Sequence, residues 1–304
     1  MRDTLENLYF GNITPNDQTI KSGTALKEAM EQSAAGEVLN WSADPRYEPV
    51  LSGTGPPSAT IMRSKMATSD GTRFNSATVD ERNLVLTIYI RRDIARARLA
   101  LYRWAAAKAY IKVYYENDGI DVWLDVYIET VEVDPWEQLQ NVQISIICPQ
   151  PFWQDLQETY TDASDVKGAF SFPFAIPAAG IPLSTIDQTA SSVIVNDGQV
   201  STGLRIEILA KVRSLQPRIY NLETGEFIGF SVDMEPGDRL IVNTTTGQKS
   251  IVLSRNGIKT NYINTLMAGS TWLQLSVGRH EFSYTVDEGA LEMVIYHTNK
   301  YQGV

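Results

Sequence analysis

Gln143-Ile144-Ser145-Ile146-Ile147-Cys148-Pro149-Gln150-Pro151-Phe152-Trp153 reads as a strand that stops at two closely spaced prolines. Gln143, Ser145 and Ile147 fall on one face, and Ile144, Ile146 and Cys148 on the other, which is the two-residue period of a strand. Pro149 and Pro151 each remove a backbone donor and push the residue before them into extended geometry. Phe152 and Trp153 follow as an apolar anchor just beyond the stop. The pattern before this stretch mixes strands with helices. The pattern after it is short strands and turns.

Upstream, residues 5–13 suggest a short strand. Residues 24–32 suggest a helix capped by Thr24 and stopped near Gly36. Residues 42–80 are dense in Ser, Thr, Gly and Pro, including Ser52-Gly53-Thr54-Gly55-Pro56-Pro57. A loop of that length in a compact domain is expected to be a functional arm or a disordered connector. Order returns with a strand over 83–90 and a helix from Asp93 to about Lys108. In that helix Ile94, Arg98, Leu101 and Ala105 share a stripe. Arg92, Arg96, Arg98 and Arg103 suit a solvated face or, alternatively, a subunit contact or a lumen position. Three strands follow over 110–115, 121–133 and 141–148, with Asn117-Asp118-Gly119 as a tight hairpin signal. In the second of them, Asp121, Trp123, Asp125, Tyr127 and Glu129 alternate with Val122, Leu124, Val126 and Ile128, giving one acidic-aromatic face and one aliphatic face.

Downstream, residues 154–168 are polar and acidic and are expected to be a linker. Phe170-Ser171-Phe172-Pro173-Phe174 and Gly180-Ile181-Pro182-Leu183 read as proline-interrupted edge material. Short strands then recur over 192–195, 204–210, 218–221, 227–232, 239–243, 250–254, 271–275, 281–285 and 291–297. Turn signals such as Asn196-Asp197-Gly198, Glu235-Pro236-Gly237-Asp238 and Asn256-Gly257 separate them. Such spacing without a normal-length helix predicts an antiparallel β-sandwich. The chain is thus expected to be mainly β (α+β). A first domain would span 1–153 with its long loop 42–80, the linker 154–168, and a second domain 169–304.

Bulk properties exclude several classes. With 304 residues, 43% of them hydrophobic, two buried cores are attainable. The net charge of -10 argues against a phosphate-gripping surface. One cysteine, Cys148, allows no intrachain disulfide, and only His280 and His297 could serve as imidazole ligands. No run approaches a membrane span. Met1-Arg2-Asp3-Thr4-Leu5-Glu6 carries no signal-peptide core, so the chain is expected to start life in a cytoplasm and not to leave by the general secretory route.

A catalytic set does not emerge from the residues. Cys148 ends a strand with neither histidine near in sequence, and it reads as a buried structural thiol. His280 has Arg279 beside it, which disfavours a cation there. Gly53-Thr54-Gly55 is not followed by a lysine-bearing helix and so is no phosphate cradle. Asp121, Asp125 and Glu129 could form a carboxylate pair for glycoside chemistry, but an exposed acidic face explains them as well. Trp272 and Tyr284 could act as a sugar-stacking platform, although Trp272 reads better as core. No catalytic, cofactor-binding or metal residues are therefore assigned, no cofactor is expected, and the chain is read as a non-enzyme.

The order of these features resembles the distal tail protein family of phages and prophages of Gram-positive bacteria. In the first half the resemblance is carried by Leu84–Ile90, Leu101-Tyr102-Arg103-Trp104, Asn117-Asp118-Gly119 and above all Ile144 to Trp153. In the second half it is carried by Phe172-Pro173-Phe174, Val195-Asn196-Asp197-Gly198, Gln216-Pro217-Arg218-Ile219-Tyr220-Asn221, Glu223-Thr224-Gly225-Glu226, Pro236-Gly237-Asp238, Asn243-Thr244 with Gly247, and Tyr301-Gln302-Gly303-Val304. Residues 40–80 fall outside it, and Gly278-Arg279-His280 stands where family members often carry Gly-x-Asn.

The resemblance implies a split-barrel-like β domain with one packed helix, followed by a galectin-like sandwich. It also implies a virion hub at the tail tip or baseplate, assembled in the bacterial host cytoplasm. The hub would be a homo-hexameric ring joining tail tube protein to tail-tip protein, with receptor-binding proteins as further partners. DNA would pass its lumen without specific binding, and no membrane insertion is implied. The long loop would suit an arm clasping a neighbouring subunit or a baseplate partner. The alternative is a carbohydrate-binding receptor-recognition module. Within this reading Phe152-Trp153 fixes how the second domain hangs from the first.

Overall fold

The computed structural model describes residues 7–11, 45–117, 120–134, 140–162, 166–168, 184–186 and 191–304. The helix expected over 24–32 and the edge segments 170–174 and 180–183 lie outside them. The chain divides into two compact units. One runs to Gln157 and takes back Lys300–Val304; the other is Glu158–Asn299.

The first unit contains β1 (Asn7–Gly11), β2 (Tyr47–Ser52), β3 (Ala59–Lys65), β4 (Thr72–Val79), β5 (Arg82–Ile90), α1 (Ile94–Trp104), β6 (Tyr110–Asn117), β7 (Ile120–Asp134), β8 (Gln140–Cys148) and β9 (Trp153–Asp155). Its main sheet runs β1-β6-β7-β8-β5-β2 and is antiparallel throughout. β7 is long enough to serve several neighbours. It pairs with β6 as far as Tyr127, with β9 at Val122 and Trp123, and with β8 from Tyr127 onward. A register shift between Ile128 and Thr130 changes which residues face inward. Val122, Leu124, Val126 and Ile128 are buried before it; Val131 and Val133 pack on the same core after it. One extra residue thus keeps the aliphatic face on the core while the strand bends, the usual effect of a bulge.

The helix ends at Trp104, about a turn earlier than expected, because Ala105 caps it with its N–H on Leu101 O. Lys108 then adopts positive φ and donates its N–H to Ile128 O. The buried stripe is Ala97, Leu101 and Ala105. The expected stripe was offset: Ile94 is exposed and Arg98 only half-buried. Tyr47 Oη ties β2 to the helix through Ala97 O at 3.0 Å.

Two further expectations fail in this unit. Residues 42–80 are not structureless: β2 joins the main sheet, and β3 and β4 form a separate hairpin from Ala59↔Val79 to Lys65↔Thr72. Low hydrophobicity masked these strands, since every residue of β3 and β4 is exposed. Trp153 is not a joint between domains either. It is fully buried in the first core, within 6.0 Å of the Tyr115 ring, with its indole N–H toward Thr54 O.

The second unit contains β10 (Thr159–Asp162), β11 (Val166–Gly168), β12 (Ser184–Ile186), β13 (Ser191–Asn196), β14 (Thr202–Ala210), β15 (Ser214–Leu215), β16 (Arg218–Asn221), β17 (Phe227–Gly229), β18 (Asp233–Met234), β19 (Arg239–Asn243), β20 (Ser250–Arg255), β21 (Ile258–Asn261), β22 (Gln274–Leu275), β23 (Gly278–Thr285) and β24 (Leu291–His297). β25 (Lys300–Tyr301) returns to the first unit and pairs with β9. The residues expected to be a linker therefore supply strands to both units.

One sheet runs β10-β24-β14-β19-β20-β21 and a second runs β13-β23-β16-β17. Their inward residues form a single core: Leu204, Ile206, Leu240, Val242, Met293 and Ile295 from the first, and Ile194, Ile219, Ile228 and Phe282 from the second. Two antiparallel sheets sharing one core make a sandwich. At Asn256-Gly257 both residues have positive φ between Arg255 and Ile258, which are paired. That is the primed hairpin turn Asn-Gly favours. The fold is mainly β with one described helix, as the sequence indicates.

Replacing Trp153 with alanine should cost about 3–5 kcal/mol, the range for a large buried aromatic. In urea unfolding the first unit should lose stability and the second keep its own. An unchanged first-unit transition would return Trp153 to the role of a joint.

Candidate functional site

Side chains singled out in the sequence are mostly used for structure. Cys148 is fully buried, and burial pushes its thiol up to about 12, the Arg82 cation opposing. It is held as the thiol and is a poor nucleophile. Tyr284 is also buried and donates its hydroxyl to Leu291 O at 3.0 Å, so it cannot stack on a sugar. Trp272 is half-buried against the second core, with Lys249 Nζ 5.4 Å from its ring centroid.

The acidic face of β7 is committed in the same way. Asp125 binds Lys112 Nζ at 2.8 Å and accepts the Tyr110 hydroxyl. Lys112 also sits 3.6 Å from the Trp123 ring centroid, a close cation–π contact. Glu129 accepts from Ser145 Oγ at 2.8 Å, and Ser145 Oγ accepts from Asn83 Nδ2 at 3.0 Å. These carboxylates hold the outer face of the sheet. Tyr110 and Tyr127 stay exposed beside them with ring centroids 5.4 Å apart.

His280 and His297 sit on strands of different sheets. No cluster of three or more metal-binding side chains occurs among the described residues. Burial lowers the pKa of His297, which keeps it neutral. His280 is bracketed by Glu223 Oε2, 2.7 Å from Nδ1, and Ser276 Oγ, 3.0 Å from Nε2. Sequence distance hid this grouping, since Glu223 follows β16 while Ser276 and His280 flank the start of β23. Although the grouping holds a serine, a base and an acid, His280 Nδ1 makes no hydrogen bond even with Glu223 Oε2 at 2.7 Å. The trio links two turns of the sandwich and lacks the orienting hydrogen bond a catalytic base needs.

The decisive missed residue is Arg82. It opens β5 and is 2% exposed. Positions 82, 84, 86, 88 and 90 are all buried, so Arg82 points to the core side with the leucines and isoleucines. Its guanidinium donates to four carbonyl oxygens: Pro151 at 2.7 Å, Gly53 at 2.8 Å, Gly55, and Gln302. It also lies over Trp153, 5.8 Å from the ring centroid. Burial lowers its pKa, but a guanidinium stays charged. Only glycine fits at Gly53, where φ is +86° and a Cβ would lie 2.4 Å from Asn83 O. An arginine on the apolar side of a strand was the available signal.

In the second unit Arg205 plays a related part. It holds Glu158 at 2.5 Å, pairs with Glu207, and lies 3.7 Å from the Tyr296 ring centroid. Asp238 is 2% exposed and accepts from Arg255 and from the Glu235 N–H at 2.8 Å.

Large apolar side chains stay exposed on both units, Tyr160, Leu222 and Ile258 among those of the second. Leu99 and Tyr102 on α1, Tyr110 and Tyr127 on the sheet, and Ile61, Met62 and Phe74 on the β3–β4 hairpin are large exposed apolar side chains.

Residues 197–301 match the family model described as siphovirus-type tail component, C-terminal domain. The resemblance to distal tail proteins is therefore borne out, and it supports a structural role in a phage tail. Among solved structures, the chain is similar to the crystal structure of SPP1 Dit, described as a paradigm of hub adsorption apparatus in Gram-positive infecting phages. The identity is 14%, the TM-score 0.62, and the match covers 83% of this chain and 91% of that one. A chain of the phage P2 baseplate in its activated conformation aligns at 10% identity and a TM-score of 0.49, over 98% of this chain and 99% of that one. No curated protein matches significantly in sequence.

Burial alone would raise the Asp238 carboxyl, but Arg255 and the Glu235 N–H outweigh it and hold the pKa below normal. The stability this provides is present above the unfolded value of about 3.9 and is lost as pH falls through the lower folded value. In urea unfolding, Asp238→Asn should cost about 1–3 kcal/mol at pH 6 and flatten the decline below pH 4. An unchanged acid limb would remove Asp238 from that account.

Proposed function

We propose that this protein is a hub of a phage or phage-like tail tip or baseplate. Six copies form a ring through their first units. The ring joins tail tube protein to tail-tip protein, leaves a lumen for DNA, and lets the galectin-like second unit dock adsorption proteins. The protein resides in the virion after assembly in the host cytoplasm. It works by binding and not by catalysis.

The observation that carries this reading is the tail-component match over 197–301, in a chain whose fold resembles a described hub over most of its length. Internal commitment of the acids, histidines and cysteine supports it, as does a net charge of -10 that would not trap passing DNA.

Mass measurement in solution, with negative-stain imaging, tests the proposal. Rings of six copies are expected at high concentration, alone or with the tail-tip protein co-expressed. A strictly monomeric species under both conditions would overturn it.

A further inference from the structure

In the second unit, register lays out the outward side of the sheet β10-β24-β14-β19-β20-β21. Tyr160, Tyr296, Arg205 and Asn243 stand in one row across β10, β24, β14 and β19. Asp162, Val294, Glu207 and Ile241 stand in the next. Their strand neighbours Ile206, Val242 and Ile295 enter the core, so the two rows face out. At the usual strand spacing the first row spans about 14 Å, room for a short oligosaccharide.

The row ends in a ring that nothing covers. Tyr160 is 69% exposed, the most of any aromatic side chain among the described residues. Its backbone is held in the ladder opposite Tyr296, and the two rings lie 6.1 Å apart at 41°. Arg205 lies over the Tyr296 ring, 3.7 Å from its centroid. The exposed ring is therefore braced from behind, and a ring held this way loses little freedom on binding.

Beside the rings the charges are already paired. Arg205 donates from Nε to Glu158 Oε1 at 3.1 Å, from Nη2 to Glu158 Oε2 at 2.5 Å, and from Nη1 to Glu207. Arg239 Nη1 donates to Glu207 Oε2 at 3.2 Å, and Lys211 Nζ binds Glu292 at 2.9 Å. Three cations thus meet three carboxylates. Two of the five N–H groups of Arg205 still have no acceptor among the described residues. Asn243 spends its Oδ1 on the Thr245 N–H at 2.9 Å and keeps its amide donors.

These traits select a ligand. An anionic polymer needs cations to spare, and this face has none. A stable protein interface has an apolar centre, whereas here the centre is the arginine–glutamate network and the bare ring lies at the edge. A neutral sugar has an apolar C–H face for the ring. Its hydroxyls both donate and accept, which suits a fixed network of donors and acceptors without net charge.

We propose that this face binds a neutral oligosaccharide, one pyranose stacked on Tyr160 and the hydroxyls along the row met by Arg205, Glu158 and Asn243. The site is distinct from Trp272 and Tyr284, which packing has claimed. It stands apart from the ring reading, since each copy carries the whole site in its second unit.

The test is a glycan array probed with the full chain, with neutral hexose and N-acetylhexosamine oligosaccharides beside sialylated and phosphorylated ones. Binding to neutral glycans is expected, and it should survive added salt that would screen an ionic contact. Tyr160→Ala, at an exposed position, should leave the circular dichroism spectrum unchanged and weaken binding about ten-fold. Tyr160→Phe keeps the ring and should bind nearly as the wild type does. No glycan bound at millimolar concentration, binding confined to charged glycans, or equal binding by Tyr160→Ala would each overturn the proposal. So would capture of a tail adsorption protein that Tyr160→Ala abolishes while no glycan binds, because the face would then dock protein. None of these outcomes bears on the ring, which mass measurement decides.

Discussion

A single buried cation organises the first unit. Among the described residues Arg82 has no carboxylate partner; four backbone carbonyls and the Trp153 ring satisfy its charge. Those carbonyls come from places far apart in sequence: the Gly53–Gly55 turn, Pro151 after the double-proline stop, and Gln302 near the last strand. One side chain therefore fixes a turn, the end of the main sheet and the returning tail together. An arginine suits this because its five donors are held in a rigid fork. Removing it would leave the buried Pro151 carbonyl unpaired, a desolvation cost of about 1–3 kcal/mol, and release the three part-buried carbonyls of Gly53, Gly55 and Gln302.

The constraint gives the double-proline stretch its meaning. Pro149 and Pro151 end pairing with β5, which frees the Pro151 carbonyl to accept from Arg82 while Trp153 enters the core. The chain then passes through Leu156, whose N–H bonds Asp121 O, and begins the second unit at Glu158. There Arg205 holds the incoming segment. Each unit secures its own end of the crossing with an arginine. For a structural part this is fitting: the buried charges are spent on holding segments in place, and the surfaces are left for partners.

Period and turn chemistry made much of the fold legible. The burial of Val122, Leu124, Val126 and Ile128, the strands 218–221, 239–243 and 291–297, and the Asn256-Gly257 turn all follow from local rules. What local rules could not show depended on distance or exposure. β3 and β4 bury nothing, so no apolar alternation announced them. β9 and β25 are too short to carry a pattern; β9 is set by pairing with β7, and β25 by pairing with β9. Trp153 looked like a joint because it follows two prolines, and only the fold reveals that it turns inward. The Glu223–Ser276–His280 trio and the Arg82 cage join residues that sequence separates. Exposed apolar surface was the least legible, since an exposed apolar residue in a sequence looks like any other.

Native-state hydrogen exchange tests the central claim, that Arg82 makes the returning tail part of the first unit. The amides of Tyr301 and Val304, the latter bonded to Thr54 O at 3.2 Å, should be protected together with β9 and the 53–55 turn. All should lose protection together in Arg82→Ala, while β14 and β24 keep theirs. Tail amides that exchange at unprotected rates in the wild type, beside a protected β5 and β8, would contradict the account.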